Sequence, residues 1–397
     1  MEVGALQGLR VLDMATLLAA PLVAAMLADL GADVVKVEPP AGEMQRFVGA
    51  ERNGQSLVWS LVGRNKRCIT IDPDVPAGLD MLRRLTEVAD VIILNQPPSV
   101  LERWRCTYEE IAARNPRAVV VLVSGFGSNG PYASRPANGT LAEAFGGLTS
   151  MIGEPDGPPL LASVPLGDTL GALSGVIGAI AACYHRDAAG GSGQLVDVAL
   201  YEPVLSLLAT AMVTWQVGDP SPHRGGSRIP GGVPRNCYET ADGEYVVVSG
   251  PTDAQVARVL TLINADEPED RERFGRSDER LRHGDELDAL VARWIRARNL
   301  DDVVEGFQSA RIPVTRVMDL EALNEDPHVN ARGSIVRMVD PAIDSVLLPA
   351  PHPRLSKTPA SIEWLGPAIG AHTEDVCLSW LGLSPDDVAA LRAQGAV

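Results

Sequence analysis

Apolar positions fall along this chain in two registers. The first is a set of short, nearly unbroken runs: Leu9-Arg10-Val11-Leu12, Val34 to Val37, Cys68 to Ile71, Val91 to Leu94, Ala118 to Val123 and Gln194 to Val198. Runs of this length without polar alternation predict strands buried on both faces. Between them apolar residues recur at helical spacing, over Leu22 to Leu30, Ala77 to Ala89 and Tyr108 to Asn115. Pro21 suits the first turn of the first helix, and Gly31 supplies its left-handed stop. Strand, helix and strand follow one another within about forty residues, which is a right-handed parallel unit. Its repetition predicts an α/β fold with a parallel sheet covered on both sides. Ligands in such sheets gather beyond the strand carboxyl ends, here the loops after Leu12, Val37, Leu94 and Ser124.

The longest helical pattern runs from Leu166 to His185, rich in Gly, Ala and Ser, with Asp168 as its only charge before Arg186. Small residues predict close neighbours and little water. Asp168 then has two readings. It is the cap that bonds orphan amides at the helix start, or it is a carboxylate kept ionised by the positive helix end in a dry pocket, where it acts as a nucleophile.

Gly190-Gly191-Ser192-Gly193 turns the chain into its last buried strand, and a helix follows over Glu202 to Val217. The composition then shifts to Pro and Gly through Arg235, a linker or mobile lid. Asn236 to Thr240 and Tyr245 to Ser249 predict a hairpin turning at Asp242-Gly243. Helical patterns dominate Ala254 to Leu323. Strand character returns over Ser334 to Val339, Pro341 to Pro359 reads as an extended crossing, and two short helices close the chain from Thr373, the second capped at Ser384. This predicts a large domain in two parts (1–218 and 334–397), a linker (219–235) and a small α+β domain (236–333).

Charge and composition narrow the function. A net charge of −17 argues against a nucleic-acid track. The five cysteines (Cys68, Cys106, Cys183, Cys237 and Cys377) have no C-x-x-C spacing, so neither a disulfide framework nor a zinc site is expected. With no basic, apolar signal pattern near Glu2 to Arg10, a cytoplasmic location and no membrane partner are expected. Ser124 to Pro131 contains a literal G-x-G-x-x-G, but Pro131-Tyr132 follows where a phosphate-binding helix should start. The six histidines show no H-E-x-x-H, and no G-x-S-x-G elbow occurs. Asp168 remains.

Several stretches together resemble the class III coenzyme A transferases, a group that includes formyl-CoA and carnitine CoA-transferases and has α-methylacyl-CoA racemases as relatives. They are Gly8 to Asp13, Leu27 to Glu38, Arg64 to Arg67, Ser124 to Tyr132, Pro165 to Asp168, Gly193 to Val198, Asp326 to Val329 and Gly370 to Glu374. The resemblance spans nearly the whole chain in order. It implies a Rossmann-like large domain, a smaller α+β domain and a homodimer of interlocked subunits. It also implies acyl-CoA and carboxylic acid substrates, no cofactor beyond coenzyme A, and Asp168 as nucleophile. By the same resemblance Leu18, Ile71, Asp72, Asn95 and Arg103 line the CoA groove, and Arg64, Lys66 and Arg67 pair with its phosphates. Phe126, Asn138 and Gly139 fall near the acyl pocket, and Gly231-Gly232 resembles a shortened glycine-rich lid. The chain departs from the formyl-CoA transferases at Leu18, Pro39 and Gly139, which favours a larger or less polar acid than oxalate. At Asn138 the racemases carry a histidine base, which asparagine cannot replace. The expected activity is acyl-CoA:carboxylate CoA transfer through an aspartyl-CoA thioester. The alternatives are a racemase or isomerase using Asp168 as acid and base, and a CoA-binding protein without turnover.

Overall fold

The computed structural model describes residues 4–217, 224–229 and 231–397. Part of the expected 219–235 linker therefore lies outside the described residues. By internal contacts the chain divides into two units, one of residues 1–149, 161–220 and 332–397, the other of residues 150–160 and 221–331.

The first unit is built on six parallel strands: β1 (Arg10–Asp13), β2 (Asp33–Glu38), β3 (Lys66–Thr70), β4 (Val91–Leu94), β5 (Val119–Ser124) and β6 (Leu195–Ala199). Their order is β3-β2-β1-β4-β5-β6. The expected parallel α/β sheet is present, and all four β4 side chains are buried. The order reverses between β1 and β4, the switch point where such sheets hold ligands.

Apolar residues from alternate strand positions enter two separate cores. One collects Val11, Val34, Val91 and Val121 beneath α1 (Ala19–Asp29), and the other collects Leu12, Val35, Ile92 and Val120 beneath α2 (Pro76–Val88) and the helix Thr373–Leu381. Helix α1 starts three residues before the expected Leu22. Two helices, Tyr201–Ser206 and Ala209–Gln216, replace the single one expected over Glu202 to Val217. The strand near Ser334 also has a partner: Ile335–Asp340 pairs antiparallel with Asp344–Pro349 inside the expected crossing, and the turn between them is held by Asp340 Oδ1 accepting from the Ala342 amide at 2.8 Å.

The second unit has its own core of Tyr238, Val246, Val259, Val291, Ile295 and Phe307. Its expected hairpin is found as Arg235–Glu239 and Tyr245–Ser249, with Val314–Arg316 as a third strand inside the region read as helical.

Candidate functional site

Asp168 belongs to α4 (Leu166–Ala188), whose packing defines which end of the sheet it occupies. At the far end of α4, Arg186 donates through Nη1 to the carbonyls of Asp90 and Arg117, residues that precede β4 and β5. The helix therefore ends at the strand amino ends, and its start lies toward the carboxyl ends, about 30 Å away for a helix of this length. Glycines let it lie close: a Cβ at Gly175 would come within 2.7 Å of Val23 on α1, and one at Gly178 within 2.4 Å of Val196 on β6.

The cap of α4 is Pro165, with no side-chain cap hydrogen bond. Asp168 sits inside the first turn, so the N-cap reading is set aside. Its half-buried side chain meets the start of α3 (Gly139–Phe145). A Cβ on Gly139 would stand 2.2 Å from Asp168 Oδ2, so only glycine lets the two helix starts meet there. Burial is the main cause lifting the Asp168 carboxyl above the usual carboxylate range; the charge of Glu143 adds to it, and the Gly139 backbone N–H opposes it. Glu143 is itself almost fully buried, and its Oε1 accepts from the Gly167 amide at 2.9 Å. Sequence reasoning missed Glu143, although its signal matches that of Asp168: a lone carboxylate on a short helix otherwise free of charge.

Asn138 caps α3, its Oδ1 accepting from the Leu141 amide at 3.1 Å. Phe126 packs edge-on against Phe145, with ring centroids 5.0 Å apart, in a cluster with Tyr132 and Tyr201. These aromatic partners of Phe126 become visible only once α3 folds against the loop after β5.

At the switch point, Asn95 ties the loops after β4 and β1 together: it accepts from the Thr16 amide at 2.9 Å and donates to the Thr16 carbonyl at 2.8 Å. Leu18 stands at the cap of α1, half-buried against the core. Ile71 is a core residue, whereas Asp72 shapes the turn after β3 by accepting from Asp74 at 3.0 Å. Arg103 is exposed and lies 3.5 Å from Asp74.

The basic stretch after Gly63 requires a correction. Arg64 is buried and forked onto Asp29, with Nη2 2.7 Å from Oδ2. Lys66 is fully buried, 2.7 Å from Asp13 Oδ2, and also donates to the Pro21 carbonyl. Arg67 bridges Asp33 and Asp375 at 2.6 and 2.7 Å. These cations are committed to carboxylates of the chain itself, buried for Arg64 and Lys66 and part-exposed for Arg67, so they do not line an open phosphate groove. In the second unit, Gly231 adopts a positive φ of 86°, and Gly232 lies where a Cβ would come 2.6 Å from Pro251. No cluster of three or more His, Cys, Asp or Glu fit to hold a metal occurs among the described residues.

A parallel sheet with a half-buried carboxylate toward its strand carboxyl ends is an α/β fold of the kind that holds ligands at that end, and the comparisons specify its family. The sequence profile of CoA-transferase family III matches residues 6–373. The chain is 36% identical to succinyl-CoA–D-citramalate CoA-transferase of Chloroflexus aurantiacus over 98% of its own length and 97% of that protein. It is 30% identical to succinate–glutarate CoA-transferase of Agrobacterium fabrum, covering 94% of each. A crystal structure of a CAIB/BAIF family protein from Brucella suis superposes with a TM-score of 0.82 at 29% identity, covering 95% of this chain and 99% of that one. The chain belongs to CoA-transferase family III, and it is a CoA-transferase.

Proposed function

We propose that this enzyme moves CoA from an acyl-CoA to a free carboxylic acid through a thioester on Asp168. The observation that carries the reading is the placement of Asp168: half-buried, in the first turn of α4, against a glycine that admits its carboxylate. One carboxylate oxygen attacks the thioester carbonyl. The C–S bond breaks, CoA leaves as the thiolate, and a mixed anhydride remains. The thiolate then attacks the Asp168 carbonyl carbon and expels the donor acid, leaving CoA on Asp168. The acceptor carboxylate attacks that thioester and releases the thiolate, which takes the acceptor's acyl group and frees Asp168. Each step exchanges one acyl bond for another, and burial keeps water from the anhydride.

Two influences act on the nucleophile in opposite senses. The α4 dipole favours its charge, while burial and Glu143 disfavour it. The result is a carboxylate more basic than a free one, hence a better nucleophile wherever it is ionised. Leu18, Asp72, Asn95 and Arg103, all beyond strand carboxyl ends, are the residues we assign to the CoA groove, with Phe126, Asn138 and Gly139 on the acyl side. The relatives are named for succinyl-CoA with citramalate and for succinate with glutarate, which favours a short dicarboxylic acid as substrate. Exposed apolar residues on the first unit, Ile177, Tyr184, Val213 and Trp215, support a homodimer, whose interlocked form is what the family resemblance implies. Free, dispersed cysteines suit the cytoplasm. Asn138 has no group able to take an α-proton, so the racemase reading gains nothing. The test is a screen of succinyl-CoA against a panel of carboxylic acids, read by mass spectrometry. Transfer to at least one acid, lost in Asp168→Ala with CoA binding kept, is expected. Transfer at the parent rate in that variant would refute the reading.

A further inference from the structure

The mechanism above leaves Glu143 unused. Its side chain is 2% exposed, and its Oε1 accepts from the Gly167 backbone amide, one residue before Asp168. Gly167 leaves no side chain in the way: a Cβ there would lie 3.2 Å from Glu143 Cγ and 2.6 Å from the Gly139 carbonyl oxygen. Two carboxylates are thus held around the same pair of glycines. Among the described residues no Lys or Arg forms an ion pair with either of them. A buried carboxylate without a cation is costly, and an amide would make the same hydrogen bond at less cost. A carboxylate rather than an amide at this place therefore calls for a role.

We infer that Glu143 is an anionic positioning residue, which pins the first turn of α4 and whose repulsion drives Asp168 toward its uncharged, acylated state. This rests on the covalent reading given above. In the resting enzyme both carboxylates are held around Gly139 and Gly167. When the Asp168 oxygen bonds to the acyl carbon and the thiolate departs, the negative charge leaves the Asp168 carboxyl, and the repulsion is relieved in the anhydride and again in the thioester. It returns only when the acceptor has left with CoA.

The Asp168 carboxyl responds accordingly, lifted first by burial and next by Glu143. Other titratable groups on elements packed against α4 are engaged or remote. Asp29 on α1 is forked by Arg64, and Asp197 on β6 accepts from Ser128. Tyr201 and Glu202 lie on the following helix and do not contribute to the shift.

Three substitutions and one double variant decide the matter. Glu143→Gln keeps an acceptor for the Gly167 amide but removes the charge; Glu143→Met removes both; Asp168→Asn removes the charge that Glu143 repels. The probe is succinyl-CoA, with the CoA adduct on the Asp168 peptide quantified by mass spectrometry across pH. Glu143→Gln should give about tenfold less adduct and move its acid limb to lower pH. Thermal melts of the parent, Asp168→Asn, Glu143→Gln and the double variant should show Asp168→Asn stabilising the parent more than it stabilises the Glu143→Gln background. Parent-like adduct, acid limb and thermal cycle in Glu143→Gln, with loss only in Glu143→Met, would overturn the charge role and leave a hydrogen bond. Absence of any adduct on the parent would instead refute the covalent reading. The thermal cycle then judges Glu143 alone: coupling supports the electrostatic role, and additivity overturns it.

Discussion

Replacing Gly139 by alanine tests whether the carboxylate of Asp168 must stand where it does. The new Cβ would fall 2.2 Å from Oδ2, 2.5 Å from Cγ and 2.9 Å from the backbone nitrogen of Asp168. Ordinary contact begins near 3.4 Å, so Oδ2 must retreat by 3.4 − 2.2 = 1.2 Å. Rotating the side chain relieves the first two clashes. The third involves backbone and requires the first turns of α3 and α4 to part. Misplacing a reacting group by about 1 Å costs on the order of 100-fold in rate, equivalent to about 2.7 kcal/mol of barrier. Gly139 has an ordinary φ, so alanine there meets no intrinsic backbone strain. The assay is kcat for CoA transfer by chromatography of the acyl-CoA products, with CoA affinity by calorimetry and Tm by differential scanning. We expect kcat to fall about 100-fold while CoA affinity stays near the parent value. Turnover within a few-fold of the parent would refute the reasoning, because it would free the reaction from the placement of Asp168.

Further outcomes follow from the same geometry. Asp168→Asn should abolish transfer yet stabilise the fold at neutral pH by about 1 kcal/mol. The folded state holds the Asp168 proton more tightly than the unfolded chain, so the parent loses stability as pH rises from the ordinary carboxylate value through the raised one; the stability gain of Asn should vanish below that window in pH-dependent melts. Activity should show an acid limb above the ordinary Asp value of 3.8, measurable as kcat against pH. Arg64→Ala should destabilise by about 3–5 kcal/mol by stranding the buried Asp29 charge, read by denaturant titration, with CoA affinity unchanged in the molecules that remain folded. Arg103→Ala should raise the KM for acyl-CoA in a salt-dependent way without moving Tm, because its side chain is exposed and paired only loosely with Asp74.

The sheet was legible because its strands bury both faces and so read as continuous apolar runs. Val91 to Leu94 and Val119 to Val123 are buried with Leu122 alone partly exposed. Asp168 was legible because one charge interrupts a long small-residue helix. The basic stretch at Arg64 to Arg67 misled because a cation looks the same in sequence whether it meets a phosphate or an internal carboxylate. Its partners Asp29, Asp13, Asp33 and Asp375 are contributed by distant segments, one of them from the helix Thr373–Leu381. Glu143 was missed for the same reason, since its importance comes from the Gly167 amide 24 positions on. The hairpin at Ile335 and the break at Leu207 were hidden by local pattern: prolines suggested an extended crossing, and apolar spacing ran on through a turn.

The most direct measurement is covalent trapping. Incubated with succinyl-CoA and hydroxylamine, the enzyme should lose activity in step with conversion of the Asp168 side chain to a hydroxamate, located by peptide mass spectrometry. Undiminished transfer under those conditions with Asp168 unmodified, or a hydroxamate formed on another carboxylate, would contradict the account.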